Sequence, residues 1–156
     1  MAFEGPEKRK NLLISMGVLA AIVVGAGLAT LAITTYFRSQ DPIYQCIENP
    51  TEQPYQLSVP VSVTEDGFPA TVRSGVGFED DCIRPVHTLE ENVIHVGYSE
   101  PHEFTLGHFL YYWIGDDLQK YDTRVYVNDS LHEDGSFLEI PLRQGDSIRI
   151  EFTTRN

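Results

Sequence analysis

The chain has 156 residues, with 23 Asp and Glu against 11 Lys and Arg, and a formal net charge of −12. Hydrophobic residues make up 42% and aromatic residues 11%, which is enough to bury a core and excludes an intrinsically disordered chain. At about 100–200 residues per domain, the length allows one domain and one appendage. Nucleic acid is excluded as a partner, because phosphate binding needs clustered Lys and Arg.

The first part of the chain holds a long uncharged apolar segment at 12–37. At 1.5 Å per residue, about 20 apolar residues cross the hydrocarbon core of a bilayer, so a transmembrane helix is predicted, with 1–11 as a cytoplasmic tail. The alternative is a cleaved signal peptide, whose apolar core is shorter, about 7–15 residues, and ends in a small-x-small site. Here the apolar run continues to Tyr36 and Phe37 and ends at Arg38, which favours an uncleaved anchor.

Charges on the two sides of this segment predict its orientation. Residues 1–40 carry four basic and two acidic residues, net +2, whereas 41–156 carry seven basic and 21 acidic residues, net −14. Lys8, Arg9 and Lys10 precede the apolar segment, and Arg38 alone follows it before an acidic stretch. The positive-inside rule therefore places the N-terminus in the cytoplasm and the C-terminal domain outside, in a single pass through the cell membrane. We expect anionic headgroups to repel so acidic a domain.

Small residues recur at every fourth position of the predicted helix, at Gly17, Ala21, Gly25 and Ala29. Such a stripe allows another helix to approach closely. It predicts packing against the helices of other membrane proteins. The alternative is that Gly and Ala are common in membrane helices, so that the spacing carries no information.

Both cysteines, Cys46 and Cys82, lie in the predicted outer domain. Two cysteines outside the cytoplasm most often pair, so a structural disulfide is predicted. It closes a loop of about 37 residues and stabilises the domain by roughly 3–4 kcal/mol. Free thiols or copper ligands are the alternatives, and no Cys-x-x-Cys redox motif is present.

The C-terminal part divides into a tether at 38–55, rich in Pro, Gln and Glu, and a domain at 56–156. Apolar residues alternate over 56–63, which predicts a strand, and Pro60 predicts that this strand is an edge strand or contains a bulge. A turn is expected at 65–67. Further strands are predicted at 69–72, 93–98, 123–127, 137–140 and 147–152.

One amphipathic helix is predicted at 106–113, with Thr105 as its cap. Its apolar stripe consists of Leu106, Phe109, Leu110 and Trp113. The stripe needs a sheet to pack on, so the fold class is α+β, with a mixed sheet packed by one helix.

Residues 103–152 resemble a β-grasp (ubiquitin-like) module through the segments EFTLGHFLYYW, VYVNDS and IPLRQGDSIRIEF. The resemblance implies a compact β-grasp-like domain after the single N-terminal transmembrane helix. Sulfur carriers of this fold end in Gly-Gly, whereas Arg155 and Asn156 stand here, so carrier chemistry is not expected.

A second resemblance spans about 46–152. It is carried by Cys82 with the following RPVHTLE segment, by IHVG at 94–97, and by FTLG at 104–107 with Trp113. These motifs resemble the membrane-anchored extracytoplasmic domains of ammonia-oxidising archaea (Thaumarchaeota) and of some bacteria. The resemblance implies a surface-exposed domain of undefined biochemical role.

That family pattern contains several histidines in HTHD and IHVE segments, which suit copper or zinc. Leu89 stands in place of the second His, Gly97 replaces the Glu, and His87 and His95 persist. The two histidines can face each other across adjacent strands, but a stable metal site usually needs three or four ligands. The alternative is a pair of structural histidines.

No catalytic motif is found, and the pairs of neighbouring carboxylates are interpreted as solvated loops, so we expect no enzyme. The histidines His102, His108 and His132 have no obvious partners in the sequence pattern. Asn128 begins an Asn-x-Ser sequon and is a candidate glycosylation site.

The sequence therefore predicts a non-enzymatic single-pass membrane protein with an acidic extracytoplasmic interaction domain, an accessory subunit of a larger membrane complex that binds no cofactor. The alternative is a copper or zinc binding or delivery domain that uses His87 and His95.

Overall fold

The computed structural model describes the backbone of residues 6–155 and the side chains of 16–36 and 40–155. The chain divides into two units, with the boundary between Asp41 and Pro42. Among the described residues of the first unit, Pro6–Gln40 form one helix, α1.

Within α1, Met16–Tyr36 is long and apolar enough to cross a membrane, with a mean hydropathy of 2.3. The predicted span at 12–37 lies inside this helix. Of the predicted tail at 1–11, residues 1–5 lie outside the described residues, and the rest begin α1.

Threonine hydroxyls near the end of the apolar segment bond to the helix backbone. Thr30 donates to the Ala26 carbonyl at 2.9 Å, and Thr35 donates to the Leu31 carbonyl at 2.8 Å. Because an unpaired hydroxyl in an apolar medium costs several kcal/mol, these bonds make the segment compatible with lipid.

The second unit is built on a mixed sheet with one helix. Its strands are β1 Tyr55–Glu65, β2 Phe68–Ala70, β3 Phe78–Glu79, β4 Cys82–Ile83, β5 Val86–His87, β6 Val93–Tyr98, β7 Tyr121–Val127, β8 Ser130–Leu131 and β9 Ile148–Thr154. The main sheet has the order β5-β6-β1-β9-β7-β8, with β2 alongside β1, and β3 and β4 form a separate pair. The β1–β9 pair is parallel, and the other pairs are antiparallel.

The helix α2, Leu106–Trp113, covers the apolar side of this sheet with its buried residues Leu106, Phe109 and Leu110. Alternate residues of β1 are buried in the same core: Leu57, Val59, Val61 and Val63. Burial of each such side chain contributes about 1.5–3 kcal/mol. The predicted α+β class, the helix at 106–113 and the strand at 93–98 are confirmed.

Pro60 lies inside a central strand, and the predicted edge position or bulge was wrong. It is the last β1 residue paired with β6, opposite Val93, whereas the parallel pairing with β9 begins at Val61. A residue without an N–H is tolerated here because β1 changes neighbours at this point.

Residues 137–140 were predicted as a short strand, but Phe137–Glu139 forms a 3₁₀ helix. The loop around it packs on the start of α2, because the Leu106 N–H donates to the Ile140 carbonyl at 2.8 Å. Gly107 permits this approach, since a Cβ atom there would lie 2.5 Å from the Leu138 oxygen.

The segment predicted as a tether at 38–55 packs on the domain from Pro42 onward. Residues Pro42–Tyr44 form a 3₁₀ helix, and Ile43 and Ile47 are buried. The Ile47 N–H donates to the Ile83 carbonyl at 2.8 Å. The segment was predicted as a tether because its overall composition is polar, but its two isoleucines are buried in the apolar interior.

Candidate functional site

Cys46 and Cys82 form a disulfide, with their Cα atoms 5.1 Å apart. The bond links the segment that follows α1 to strand β4. Next to it, the Tyr98 hydroxyl donates to the Gln45 side chain at 2.9 Å. The predicted pairing therefore joins the first residues of the second unit to the separate β3–β4 pair.

A set of contacts around this disulfide, here named the N-terminal clamp, fixes residues 42–47. The Tyr112 hydroxyl donates to the Ile43 carbonyl, and the Arg84 guanidinium donates to the Tyr44 carbonyl. The guanidinium also pairs with Glu79 and lies 5.8 Å from the centre of the Tyr112 ring. Burial raises the pKa of Tyr112, so its hydroxyl stays a neutral donor.

The two candidate metal ligands lie opposite each other. His87 of β5 pairs with His95 of β6, and their rings stack with centroids 6.1 Å apart. His87 is fully buried, and the Phe78 ring packs edge-on against it with the ring centres 5.9 Å apart. Ser58 on β1 continues the row, with its Oγ 3.1 Å from His95 Nδ1.

A hydrogen bond to the backbone defines the tautomer of His87. His87 Nδ1 lies 2.9 Å from the Arg84 carbonyl oxygen. Because a carbonyl only accepts, Nδ1 carries the hydrogen and Nε2 is left as an acceptor. Neither His87 Nε2 nor His95 Nε2, both buried, has a hydrogen-bond partner among the described residues.

Burial lowers the pKa of both histidines. For His87, the nearby His95 adds to this effect and the bond to Arg84 opposes it; for His95, Glu90 opposes it, with its Oε1 3.7 Å from Nε2. Desolvation dominates at both sites, so both rings are neutral at neutral pH.

The described residues contain no group of three or more His, Cys, Asp or Glu side chains that could hold a metal ion. Gly97 stands where the resemblance implies a carboxylate, and a Cβ atom there would lie 3.1 Å from the Gln53 side chain. Two imidazoles do not supply the three or four donors of a stable site. Copper or zinc binding by His87 and His95 stays a prediction, and the geometry suits a packed pair.

The histidine pair predicts that the domain loses stability in mild acid. Each ring has a pKa below its ordinary value of 6.5 in the folded domain, so the unfolded chain binds more protons as the pH falls. Above pH 6.5 the two neutral rings make their full contribution to the free energy of unfolding. This contribution is lost as the pH falls through the lower pKa values that the two histidines have in the folded domain. Thermal unfolding between about pH 7.5 and pH 5 measures this loss.

Replacing His87 with Leu removes the more buried of the two titrating groups. The unfolding temperature of the His87→Leu variant is expected to change less over this pH range than that of the parent chain. An equal change in both proteins would exclude His87 as a cause.

Two of the remaining histidines, His102 and His108, have side-chain partners that the sequence pattern did not show. His108 Nδ1 accepts the Thr105 N–H at 3.1 Å, at the start of α2. His102 packs against Phe104 with the ring centres 4.8 Å apart. The predicted cap residue Thr105 therefore acts through its backbone, and His108 supplies the acceptor.

Asn128 lies exposed at the turn between β7 and β8, with a φ of 51°. Its Oδ1 accepts the Ser147 N–H at 2.9 Å, and its Nδ2 donates to Asp146 at 2.7 Å. Glycosylation of this asparagine stays a prediction.

The stripe residues Gly17, Ala21, Gly25 and Ala29 are exposed on α1. A Cβ atom at Gly17 or Gly25 would meet no atom within 4 Å. The face is open to a partner helix, and packing through it stays a prediction.

The neighbouring carboxylates are exposed at Asp80, Asp81, Glu90, Glu91, Asp116, Asp117, Glu133 and Asp134. Their exposure fits their interpretation as solvated loops.

No family model, curated protein or solved structure matches the chain, so the functional assignment rests on its geometry and sequence pattern.

Proposed function

We propose that the protein is a single-span membrane protein whose disulfide-bonded domain lies outside the cytoplasm and binds other proteins. The main support for this proposal is the Cys46–Cys82 disulfide, whose first cysteine lies a few residues after the end of α1. Disulfides persist in oxidising compartments and are rare in the cytosol. Lys8, Arg9 and Lys10 before the span, with Arg38 alone directly after it, support the same orientation.

The order of the strands supports a β-grasp-like assignment for the domain. Strands β1 and β6 form an antiparallel pair, α2 follows, and the last strand β9 lies parallel to β1 between β1 and β7. The resemblance to archaeal extracytoplasmic domains is based on the FTLG and IHVG segments. These segments lie at the start of α2 and in strand β6.

A binding role fits the described side chains better than catalysis does. His87 is enclosed in the domain, and the neighbouring carboxylates point into solvent. The strongly acidic surface favours encounters with basic partners and discourages acidic ones. We infer an accessory subunit of a membrane complex, with the small-residue stripe of α1 as its docking face in the bilayer.

The redox state of the cysteines in freshly isolated membranes tests the placement of the domain. Cys46 and Cys82 are expected to resist alkylation until a reductant is added, and mass spectrometry should find their peptides linked. Alkylation of both thiols without reductant would place the domain in a reducing compartment. The same chain treated with reductant before alkylation is the control.

A further inference from the structure

One segment of strand β7 has no neighbouring strand on one side, and both ends of this segment are closed. The other side of β7 pairs along its whole length with β9. On the unpaired side, the His132 N–H donates to the Val125 carbonyl at 2.9 Å, and the Tyr121 N–H donates to the Leu118 carbonyl. Between these two bonds, no strand of the described residues lies beside 121–125. We name this free segment the β7 gap.

The backbone groups that face the β7 gap follow from the alternation of a strand. Since the Val125 carbonyl faces this side, the backbone groups of Thr123 and Tyr121 face it too. The gap therefore presents the Tyr121 carbonyl and both backbone groups of Thr123, which bond to no other backbone group among the described residues. At 3.3 Å per residue the gap is about 13 Å long. It takes a segment of about three residues and excludes a longer strand.

The side chain at the centre of the gap lacks a partner. Thr123 Oγ1 is buried and has no hydrogen-bond partner among the described residues. A cavity of about 410 Å³ lies beside it, with Leu118, Thr123 and Phe137 in its lining. An unpaired buried hydroxyl is unfavourable, so a bound segment that offers it a hydrogen-bonding group gains affinity.

The outer face of the gap carries one cation and one anion. Arg124 is exposed and forms no ion pair among the described residues. Its neighbour on β9, Glu151, pairs with Arg149 instead. Asp122 accepts from Arg155 through Oδ1 at 2.7 Å, which leaves Oδ2 for a second donor. Because they are two positions apart in a strand, Asp122 and Arg124 lie on the same face.

We propose that the β7 gap binds an extended three-residue segment of a partner protein, antiparallel to β7, in the order acidic residue, threonine or serine, basic residue. The central residue exchanges two backbone hydrogen bonds with Thr123, and its hydroxyl comes within reach of Thr123 Oγ1. The acidic residue lies opposite Arg124, and the basic residue lies opposite Asp122. The N–H that follows the basic residue reaches the Tyr121 carbonyl.

The closed ends of the gap determine which kind of chain can bind. A segment that continued along β7 past Arg124 would meet His132, and one that continued past Asp122 would meet Leu118. The partner chain therefore turns away from the sheet at both ends, as an exposed loop does. Main-chain bonds supply its affinity, and the flanking charges supply specificity. This site names the kind of partner for the proposed binding role and rests on that role, but it does not depend on membrane orientation.

Two synthetic peptides of identical composition test the proposal on the full chain in mild detergent. Acetyl-Gly-Glu-Thr-Lys-Gly-amide has the proposed order of charges. Acetyl-Gly-Lys-Thr-Glu-Gly-amide has the reverse order and the same net charge. Titration followed by the NMR signal of the Thr123 amide is expected to show about fivefold tighter binding of the first peptide.

Charge reversal at the gap gives the second readout. Arg124→Glu is expected to reverse the preference between the two peptides, because the acidic residue of the first then faces a like charge. Arg73→Glu makes the same change at another exposed arginine and is the matched control, expected to leave the preference unchanged.

The proposal is overturned if the parent chain binds neither peptide or binds both equally, or if Arg124→Glu keeps the preference of the parent chain. A Thr123 signal that shifts with protein concentration in the absence of peptide would show that a second copy occupies the gap, which also overturns it. None of these results depends on the redox state of the cysteines, so failure of the peptide site is distinguishable from failure of the proposed location.

Discussion

Replacing Cys82 with Ser is expected to lower the free energy of unfolding of the domain by about 2–5 kcal/mol. The disulfide to Cys46 restricts the unfolded chain and holds residues 42–47 against strand β4. Without it, the clamp relies on hydrogen bonds such as that from Tyr112 to the Ile43 carbonyl. Denaturant unfolding of the full chain in mild detergent, followed by the fluorescence of Trp113, measures the change.

The control for this prediction is the double variant Cys46→Ser with Cys82→Ser. It removes the same bond without leaving a lone thiol, so its loss of stability is expected to equal that of Cys82→Ser. Free energies of unfolding within about 0.5 kcal/mol of that of the parent chain in both variants would show that the bond contributes no more than an ordinary surface side chain.

A second large effect is expected at Gly77, which lies beside the buried histidine. Its φ is +80°, and a Cβ atom would lie 2.6 Å from the Val86 oxygen and 3.1 Å from His87 Cα. Gly77→Ala therefore combines backbone strain with a clash against β5, and we expect a loss of about 2–5 kcal/mol. Thermal or denaturant unfolding of the full chain measures it.

Gly75 provides a matched control, since its φ is +84° and a Cβ atom there would meet nothing within 4 Å. Gly75→Ala is expected to show the backbone strain alone, about 1–2 kcal/mol. Equal losses at Gly75 and Gly77 would contradict the close packing of this loop on His87.

Local periodicity was sufficient to predict much of the fold. The alternation of β1, the limits of β6 and the apolar stripe of α2 each follow from residues within one element. Pro60 and residues 137–140 could not be predicted in this way. Their conformation depends on which strand or helix lies beside them, and neighbours distant in sequence decide that.

In the candidate site, too, the local sequence predicted some features, whereas others depend on residues distant in sequence. Spacing along the chain suggested that His87 and His95 could face each other, and the structure places them in register. Their burial depends on Phe78 and the β3–β4 loop, which no periodic pattern locates. The N-terminal clamp was missed for a similar reason, since Tyr112 and Arg84 reach Ile43 and Tyr44 across more than 35 positions of sequence.

The distribution of lysines allows a direct test of the proposed orientation. The sequence contains Lys8 and Lys10 before the apolar segment and Lys120 in the domain. Lys120 is exposed, although it pairs with Asp117 at 2.7 Å. A membrane-impermeant amine reagent applied to intact cells, followed by mass spectrometry of the purified chain, therefore reports which side each segment occupies.

With the domain outside the cytoplasm, Lys120 is expected to be modified in intact cells, and Lys8 and Lys10 only after the membrane is permeabilised. Modification of Lys8 and Lys10 in intact cells, with Lys120 protected until permeabilisation, would contradict an extracytoplasmic domain.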